Sequence, residues 1–537
     1  MSSLRLPWLI AASLFVVFFK EPAAVATVVD DVPTAIQHVL ESGPAISGVG
    51  RPVDTAALGA FYQQRDYRPV WADSSGIGAR AQSLLEVFRE AGRDGLVPAD
   101  YDPGSAAITS AADATALAAA DVALNDALLR YASDVSRGRV PSGKAGRPQS
   151  LTPKQFQAMQ VLNDAASAPD PKTYLQSLSP ANPLYLGMRE SLDKYQALAA
   201  AGGWPSFPDG PTLIPGAEDA RVPALRLRLQ LTGDLASTPS PHPSIQYDDE
   251  IRKAVIRFQE RHGLAPDGSV GPQTREALNI PVDARIRQLV VNLERARWLP
   301  EDLGDTYVLV NLPAFDLVVV RGGAWVMQMR VIVGRPSRPT PTFSSEIVNV
   351  EVNPFWYVPP TILREDKLPI LRSNPGALAA QGIRVISPGG MELDPRQIDW
   401  SQVSASRFPY ILRQDPGERN ALGRLKFTLP NQYDIYLHDT PQRALFQLST
   451  RALSSGCIRV ERPIELAEFL LGGDWPRDRI ERAVASRRHQ YLTLGTPVPV
   501  HLVYLTAWRD HAGQVQFRND LYNLDVQSIA QLDRRRP

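Results

Sequence analysis

Apolar positions in the first two fifths of the chain recur at helical spacing. AQSLLEVFREA (Ala81 to Ala91) and the stretch Ala118 to Val135 both place them on one face, and Pro and Gly interrupt the pattern between helices. Residues 33–215 therefore predict a mainly helical scaffold domain. It holds no group of His, Cys or paired carboxylates that would nominate a reaction centre. A Pro- and Gly-dense stretch, Pro205 to Gly216, predicts a domain edge. Residues 220–280 then read as a small three-helix unit. Leu225, Leu227, Leu229 and Leu231 lie in its first helix, and Ile251, Val255 and Phe258 share one face of its second. Asp267-Gly268 make a turn, and Gly271-Pro272 open the third helix, which carries Thr274 and Leu278. Ser237 to Ser244 form a proline-containing excursion between the first two helices. Asp283 is placed to cap a further helix in which Ile286, Leu289, Val290 and Leu293 face the domain that follows.

Past Pro300 the period changes from 3.6 to 2. YVLVNL, FDLVVV, WVMQMRVIV, IVNVEVN, YDIYLH and VPVHLVYLTAW are short, rich in β-branched residues and separated by turn signals such as Arg321-Gly322-Gly323. Residues 300–523 predict a β-rich domain with antiparallel pairing. The stretch from about 353 to 425 carries more Pro and Gly than a sheet connection needs, which predicts an insertion capping a cleft. Residues 531–537 read as a frayed polar tail. The fold class is multidomain α+β.

Composition narrows what such a chain does. With 57 Lys+Arg against 57 Asp+Glu, no cationic excess is present to drive binding to nucleic acid through counterion release. A single cysteine closes no intramolecular disulfide and builds no Cys-rich zinc site. The N-terminus has one positive charge at Arg5, an apolar run from Leu6 to Phe19, and the small residues Ala24-Val25-Ala26. That order predicts an export signal over residues 1–26. The run is shorter than the roughly 20 residues that span a bilayer, so cleavage is expected over an inner-membrane anchor. Periplasmic residence is the corresponding expectation. In an oxidising compartment a lone thiol is either inert or kept for its chemistry, so the neighbours of Cys457 decide.

Those neighbours are DIYLHDTPQRALFQLSTRALSSGCIRVE, Asp434 to Glu461. A cysteine nucleophile needs a base to take the thiol proton, and His438 supplies one. Asp434, Tyr436 and His438 alternate onto one face of the expected strand, with Ile435 and Leu437 on the other. Ser454-Ser455-Gly456 turn tightly before Cys457, where glycine admits substrate backbone and turn amides can stabilise an oxyanion.

The pattern HDTPxxxLFxxxxRxxSSGCIRVE resembles the signature of L,D-transpeptidases with a YkuD-type catalytic domain, in their large periplasmic class. It is carried by His438, Asp439, Thr440, Pro441, Leu445, Phe446, Arg451, Ser454, Ser455, Gly456, Cys457, Arg459, Val460 and Glu461. VIVGRPSRPTPTF (Val331 to Phe343), VNPFWYVPPTI (Val352 to Ile362) and PGERNALGRLKF (Pro416 to Phe427) resemble further motifs of that class in the same order. FQERHGLAPDGSVGPQTREAL resembles a peptidoglycan-binding domain of the three-helix type. Many smaller family members carry His at the position of Ser455 and Asn at that of Arg459, and this sequence is similar to the large class instead.

The resemblance implies that Cys457 attacks a tetrapeptide stem between diaminopimelate and D-Ala, and that the thioester passes to the diaminopimelate amine of a second stem. Peptidoglycan stems are then donor and acceptor, no cofactor or metal is required, and a carbapenem would acylate the thiol. His438 is implied as base and then acid, oriented by the backbone carbonyl of Asp439, with the Asp439 side chain as rival orienter. Gly456 and Cys457 amides, with Ser455, are the expected oxyanion donors. Tyr436, Arg459, Trp356, Tyr357 and Thr440 are expected to line the substrate site. The alternatives are a carboxypeptidase or lipoprotein-releasing hydrolase on the same fold, and a catalytically silent wall-binding protein. Cys-His endopeptidases of the NlpC/P60 type have the opposite residue order.

Overall fold

The computed structural model describes residues 31–42, 54–73, 76–104, 113–141, 143–146, 155–236 and 244–534. The expected export signal, most of the excursion at Ser237 to Ser244 and the last residues of the expected tail lie outside them. The chain divides into two units, one drawn from 1–86, 101–130 and 158–172, the other from 87–100, 131–157 and 173–537.

The first unit is helical, with Val32–Glu41, Thr55–Gln63 and Ala158–Ser167 among its helices. Its interior is organised by a carboxylate. Asp121 is fully buried and accepts from the Tyr62 hydroxyl (2.6 Å) and the Val70 (3.0 Å), Trp71 (2.6 Å) and Ala72 (3.2 Å) amides. An acid fixed by four donors inside a helical domain pins an irregular loop whose backbone would otherwise be unsatisfied. This accounts for its burial without a reaction.

Within the second unit the three-helix segment forms as the spacing predicts, with helices Val222–Leu231, Asp249–Arg261 and Pro272–Asn279. Leu225, Leu229, Ile251, Val255, Phe258 and Leu278 share one core. Leu227 is exposed, because its position points away from that core. Asp248 caps the second helix through the Ile251 amide (2.9 Å). The Asp267-Gly268 turn is clamped by Gln259, whose Nε2 donates to Asp267 Oδ1 (2.8 Å) and whose Oε1 accepts from the Gly268 amide (2.9 Å). Asp283 does not cap the following helix. That helix runs Val282–Arg297 with Pro281 at the cap position, so Asp283 lies in the first turn and acts only through the helix dipole. Its Leu289 and Leu293 pack with Tyr307, Leu309, Val318 and Val503 of the sheet domain, as expected.

The sheet has nine strands. Their order is Ala452–Ser454, Ala324–Gly334, Ile458–Val460, Leu437–His438, Leu425–Thr428, Phe343–Val352, Gln490–Val503, Thr306–Asn311 and Asp316–Arg321, and the last pairs back onto Ala324–Gly334. The sheet thus closes on itself around Val310, Val331, Ile347, Val350, Phe427, Leu437, Ile458 and Leu502. Alternation in the sequence produced this core directly. The expected strand YDIYLH is cut to Leu437–His438, because Asp434 takes a left-handed backbone (φ 54°) that breaks the extended run.

The insertion between Asn353 and Leu425 builds a second, four-stranded sheet in the order Trp356–Tyr357, Ile411–Gln414, Ile383–Ile386 and Glu392–Leu393. It has its own core of Trp356, Leu368, Leu371, Leu378, Val385, Trp400 and Leu412. Neither the short helices of the insertion, Pro360–Ile362, Leu368–Ser373 and Ala377–Ala380, nor the later helices Pro463–Leu471, Arg477–Ala485 and Leu524–Leu532 were read from the sequence. The last corrects the expected frayed tail and domain end. Its Asp525 is buried against Arg295 (2.5 Å) and the Thr506 hydroxyl (2.7 Å), so Gln531 and Leu532 belong to a docked helix.

Candidate active site

One rung of directly opposed residues crosses the sheet: Tyr491 faces Glu351, Glu351 faces Lys426, Lys426 faces His438 and His438 faces Arg459. Opposed residues point to the same side of a sheet, so the core side chains Leu437 and Ile458 turn inward while this polar row turns out. Glu351 is paired with Lys426 (3.0 Å) and with His489 (2.9 Å). Lys426 Nζ also lies 4.8 Å from the centre of the Tyr436 ring. Lys426 and Glu351 were missed in the sequence, although the alternation of Leu425, Lys426 and Phe427 placed Lys426 on the polar face.

The thiol joins this row. The parallel pairing of Leu437 with Ile458, and the bond from the Ile458 amide to the Tyr436 carbonyl (3.1 Å), set Cys457 beside Tyr436. Tyr436 and His438 are two positions apart and share a face, with ring centres 5.7 Å apart at 63°. Cys457 and His438 are therefore on the same side of adjacent strands, one diagonal step from each other. The Cys457 sulfur lies 3.8 Å from the Asp434 carbonyl.

The His438 ring is oriented by main chain. Its Nδ1 lies 2.6 Å from the Asp439 carbonyl oxygen. The Asp439 side chain is engaged elsewhere: it accepts from the Thr440 amide (2.7 Å), the Arg424 amide (2.8 Å) and the Arg443 guanidinium. Asp439 thus holds the turn that carries the orienting carbonyl, and Gly423 makes room for it. A Cβ at Gly423, which has φ 64°, would fall 2.4 Å from Asp439 Cγ. Thr440 is buried, and its hydroxyl accepts from the Gln442 amide (3.2 Å).

Electrostatics keep the resting pair uncharged. Burial pushes His438 down to about 3, with Arg459 and Lys426 acting the same way against the Asp439 and Leu422 carbonyls. Burial pushes the Cys457 thiol up, opposed by hydrogen bonding with Tyr436 and by the charges of Lys426 and Arg459. The cysteine residue is only part-buried, yet its sulfur is crowded. Burial and the neighbouring sulfur together hold the Tyr436 hydroxyl well above the usual phenol range. A neutral thiol beside a neutral imidazole passes its proton as it attacks, rather than waiting as a preformed ion pair.

The nucleophile loop is strapped from three sides. Gly456 has φ 120°, and a Cβ there would stand 3.3 Å from Ile435 Cδ1. Its amide donates to the Ser454 hydroxyl (3.1 Å), which in turn donates to the Cys457 carbonyl (2.6 Å). The Gly456 N–H is thus already engaged, while the Cys457 N–H has no such partner among the described residues. The Thr340 hydroxyl donates to the Gly456 carbonyl (2.6 Å) and accepts from the Gly334 amide (2.8 Å). Arg338 ties the loop to the insertion. Its fork spans both oxygens of Asp366 (2.7 and 2.8 Å), reaches Glu365 (2.9 Å) and meets the Ser455 hydroxyl (3.0 Å). This fork holds the Asp366 carboxyl below the usual carboxylate range. Both acids sit on a π-helical turn, Leu363–Lys367.

Arg338→Ala is expected to slow acylation of Cys457 by about tenfold to a hundredfold, the cost of a small displacement of a reacting group. Arg338→Lys, which keeps charge but loses the planar fork, should restore only part of the rate. Thermal melting of both variants checks that the fold survives.

Other expected site residues fall in different places. Arg459 donates to Gln442 Oε1 (2.8 Å), its Nε is buried without a partner, and it has no carboxylate partner among the described residues. Trp356 is not brought to the cleft. It is buried in the insertion's own core, because the strand alternates and Trp356 takes the inward position. Tyr357 takes the outward one and is 57% exposed. Tyr436 packs against the insertion's core, so the insertion does cover one flank of the thiol. Among the described residues no group of His, Cys, Asp and Glu is arranged to hold a metal.

Residues 305–500 match the YkuD family, described as the L,D-transpeptidase catalytic domain. This part of the chain is a YkuD-type L,D-transpeptidase catalytic domain. Residues 218–278 match a "Putative peptidoglycan binding domain", and residues 56–192 match a scaffold domain. A Haemophilus influenzae protein named "Putative L,D-transpeptidase" is 38% identical over 242 residues, which is 45% of this chain and 48% of that protein. The chain thus spans about half the length of this curated relative. A solved L,D-transpeptidase from Xylanimonas cellulosilytica is 16% identical, covering 55% of this chain and 98% of that one, with a TM-score of 0.18. L,D-transpeptidase 3 from Mycobacterium tuberculosis, solved with a faropenem-derived adduct, is 15% identical over 37% of this chain and 60% of that one, with a TM-score of 0.18. The transpeptidase domain rests on the family match and on the residues of the polar rung.

Proposed function

We propose that the chain is a peptidoglycan L,D-transpeptidase in which Cys457 is the nucleophile and His438 the base. The observation that carries this reading is the placement of thiol and imidazole on one sheet face, with the imidazole fixed by the Asp439 carbonyl (2.6 Å). The Cys457 sulfur attacks the carbonyl between diaminopimelate and the terminal D-Ala of a donor stem as its proton passes to the imidazole. The C–N bond breaks, the proton is returned to the leaving amine, and a thioester remains. The side-chain amine of a second stem then attacks, His438 takes its proton, and the thiol re-forms as the new amide is made. No nucleotide is consumed, since the energy of the broken amide is kept in the thioester.

The Cys457 amide and the Tyr436 hydroxyl, which is hydrogen-bonded with the thiol, serve as oxyanion donors. Arg459, which has no carboxylate partner among the described residues, takes a stem carboxylate through its fork. Tyr357 flanks the peptide, whereas Thr440 is buried and shapes the turn behind His438. The domain that matches peptidoglycan-binding families holds the chain on its polymer, in the periplasm after removal of residues 1–26. No helix among the described residues is long and apolar enough to cross a membrane. A carbapenem acylates Cys457 in place of a stem. The test is muropeptide mass spectrometry of wall incubated with the full chain. Dimers joined between two diaminopimelate residues are expected; shortened stems without dimers would assign a hydrolase instead.

A further inference from the structure

The insertion carries a concavity whose lining includes neither Cys457 nor His438. A cavity of about 670 Å³ lies along its sheet, lined by Gly382 to Val385 on one side and Asp415 to Asn420 on the other, with Arg487 at the rim. That volume lies in the range of sites that enclose a small molecule or short peptide.

Two buried amides build its floor. Gln414 Nε2 donates to the Gln381 (2.6 Å) and Arg419 (3.2 Å) carbonyls, and its Oε1 accepts from the Ala421 amide (2.8 Å). Asn420 Nδ2 donates to the Pro354 (2.9 Å) and Asp415 (3.1 Å) carbonyls, and its Oδ1 accepts from the Leu422 amide (2.8 Å). The rim at Arg487 is held by Asn353, whose Nδ2 donates to the Ala483, Val484 and Arg488 carbonyls at 3.2, 3.0 and 3.2 Å. Arg487 itself has a left-handed backbone (φ 56°). These supports fix the lining before any ligand arrives, which lowers the ordering cost of binding.

The charges in the lining are matched unevenly. Glu392 is paired with Arg384 (2.7 Å), Asp415 with Arg384 (2.9 Å) and Arg413 (2.8 Å), and Glu418 loosely with Arg424 (3.5 Å). Among the described residues the Arg419 side chain donates only to the Ala380 carbonyl, at 3.3 Å, and the Arg487 side chain has no hydrogen bond or ion pair. Two cations are thus left facing solvent at one cavity, beside a loosely held carboxylate. The floor also leads to the reaction centre. The segment that begins at Asp415 continues to Leu422 and to Arg424, whose amide holds Asp439.

We propose that this cavity binds a carboxylate-bearing stem peptide of a second peptidoglycan strand, with Arg419 and Arg487 taking its carboxylates and Glu418 its ammonium group. The substrate class rests on the function proposed above; the site rests on the cavity and its unmatched cations. A lining of both signs suits a zwitterionic peptide better than a simple anion.

The experiment uses the full chain with Cys457 alkylated by a bulky maleimide, so that binding at the thiol is blocked. A diaminopimelate-ending stem tripeptide is titrated calorimetrically. Saturable binding is expected, weakened at least about tenfold, the scale of one charge-assisted hydrogen bond, by the Arg419→Glu/Arg487→Glu pair or by amidating the peptide's carboxylates. Both arginines are exposed, and an unchanged alkylation rate in the double variant shows that its fold is intact. No saturable binding overturns the proposal, as does binding that both changes leave untouched, or equal competition by inorganic phosphate. Because no catalytic step is used, binding here combined with no acylation of Cys457 in the unalkylated chain would keep the site and remove the catalytic reading.

Discussion

Cys457→Ala is expected to lower cross-link formation by the full chain at least about a thousandfold, since loss of a nucleophile removes the covalent route entirely. The substitution deletes one sulfur from a part-buried residue at the end of a strand, so thermal melting should move little. Binding to peptidoglycan should persist, because the three-helix unit is built around a separate core. The assay is the yield of diaminopimelate-to-diaminopimelate dimers from isolated wall. Retention of more than a tenth of the wild-type rate would show that another group carries the chemistry.

The second large effect belongs to His438. His438→Gln should slow acylation by about a hundred- to ten-thousandfold, the usual contribution of a positioned general base. It should also change the pH profile. Activity needs a neutral imidazole, and burial holds His438 down to about 3, so the neutral form is present at every pH above that value. The acylation rate of the wild-type chain should therefore show no step near the ordinary histidine value of about 6.5, and its acid limb should lie well below it. Arg459 adds to the depression, so Arg459→Gln should move that limb upward. Stopped-flow acylation by a carbapenem across pH reads both effects. A wild-type limb at the ordinary histidine value would mean that His438 is solvated in solution.

Much of this site is legible in the sequence. The helices of the small unit follow from Ile251, Val255 and Phe258 at helical spacing, and the catalytic face follows from Tyr436 and His438 at strand spacing. The helix Pro463–Leu471 was missed, although Pro463 at its first position and Leu466 and Leu470 one turn apart carry the signal for it. Other features depend on contacts between distant segments. The Arg338 fork joins residues 28 and 117 positions away, and nothing in PSRPTP announces either partner. Burial decided two more. Trp356 reads as an exposed aromatic beside a cleft, yet its strand pairs within the insertion and turns it inward. A Cys and His in one motif name a nucleophile and its base without their resting charge, and crowding of both groups makes the neutral pair the resting state. Local patterning shows which face a residue takes; the dielectric around it is set only once the chain has closed.

The central claim, a thioester on Cys457, is tested most directly by intact-protein mass spectrometry. The full chain is mixed with a diaminopimelate-containing tetrapeptide and no acceptor amine, then quenched in acid and digested. The expected result is a mass increase equal to the tetrapeptide without its terminal D-Ala, located on the peptide containing Cys457 and removed by hydroxylamine. An adduct on any other residue, or product formed with no adduct on Cys457 at the earliest quench times, would contradict it.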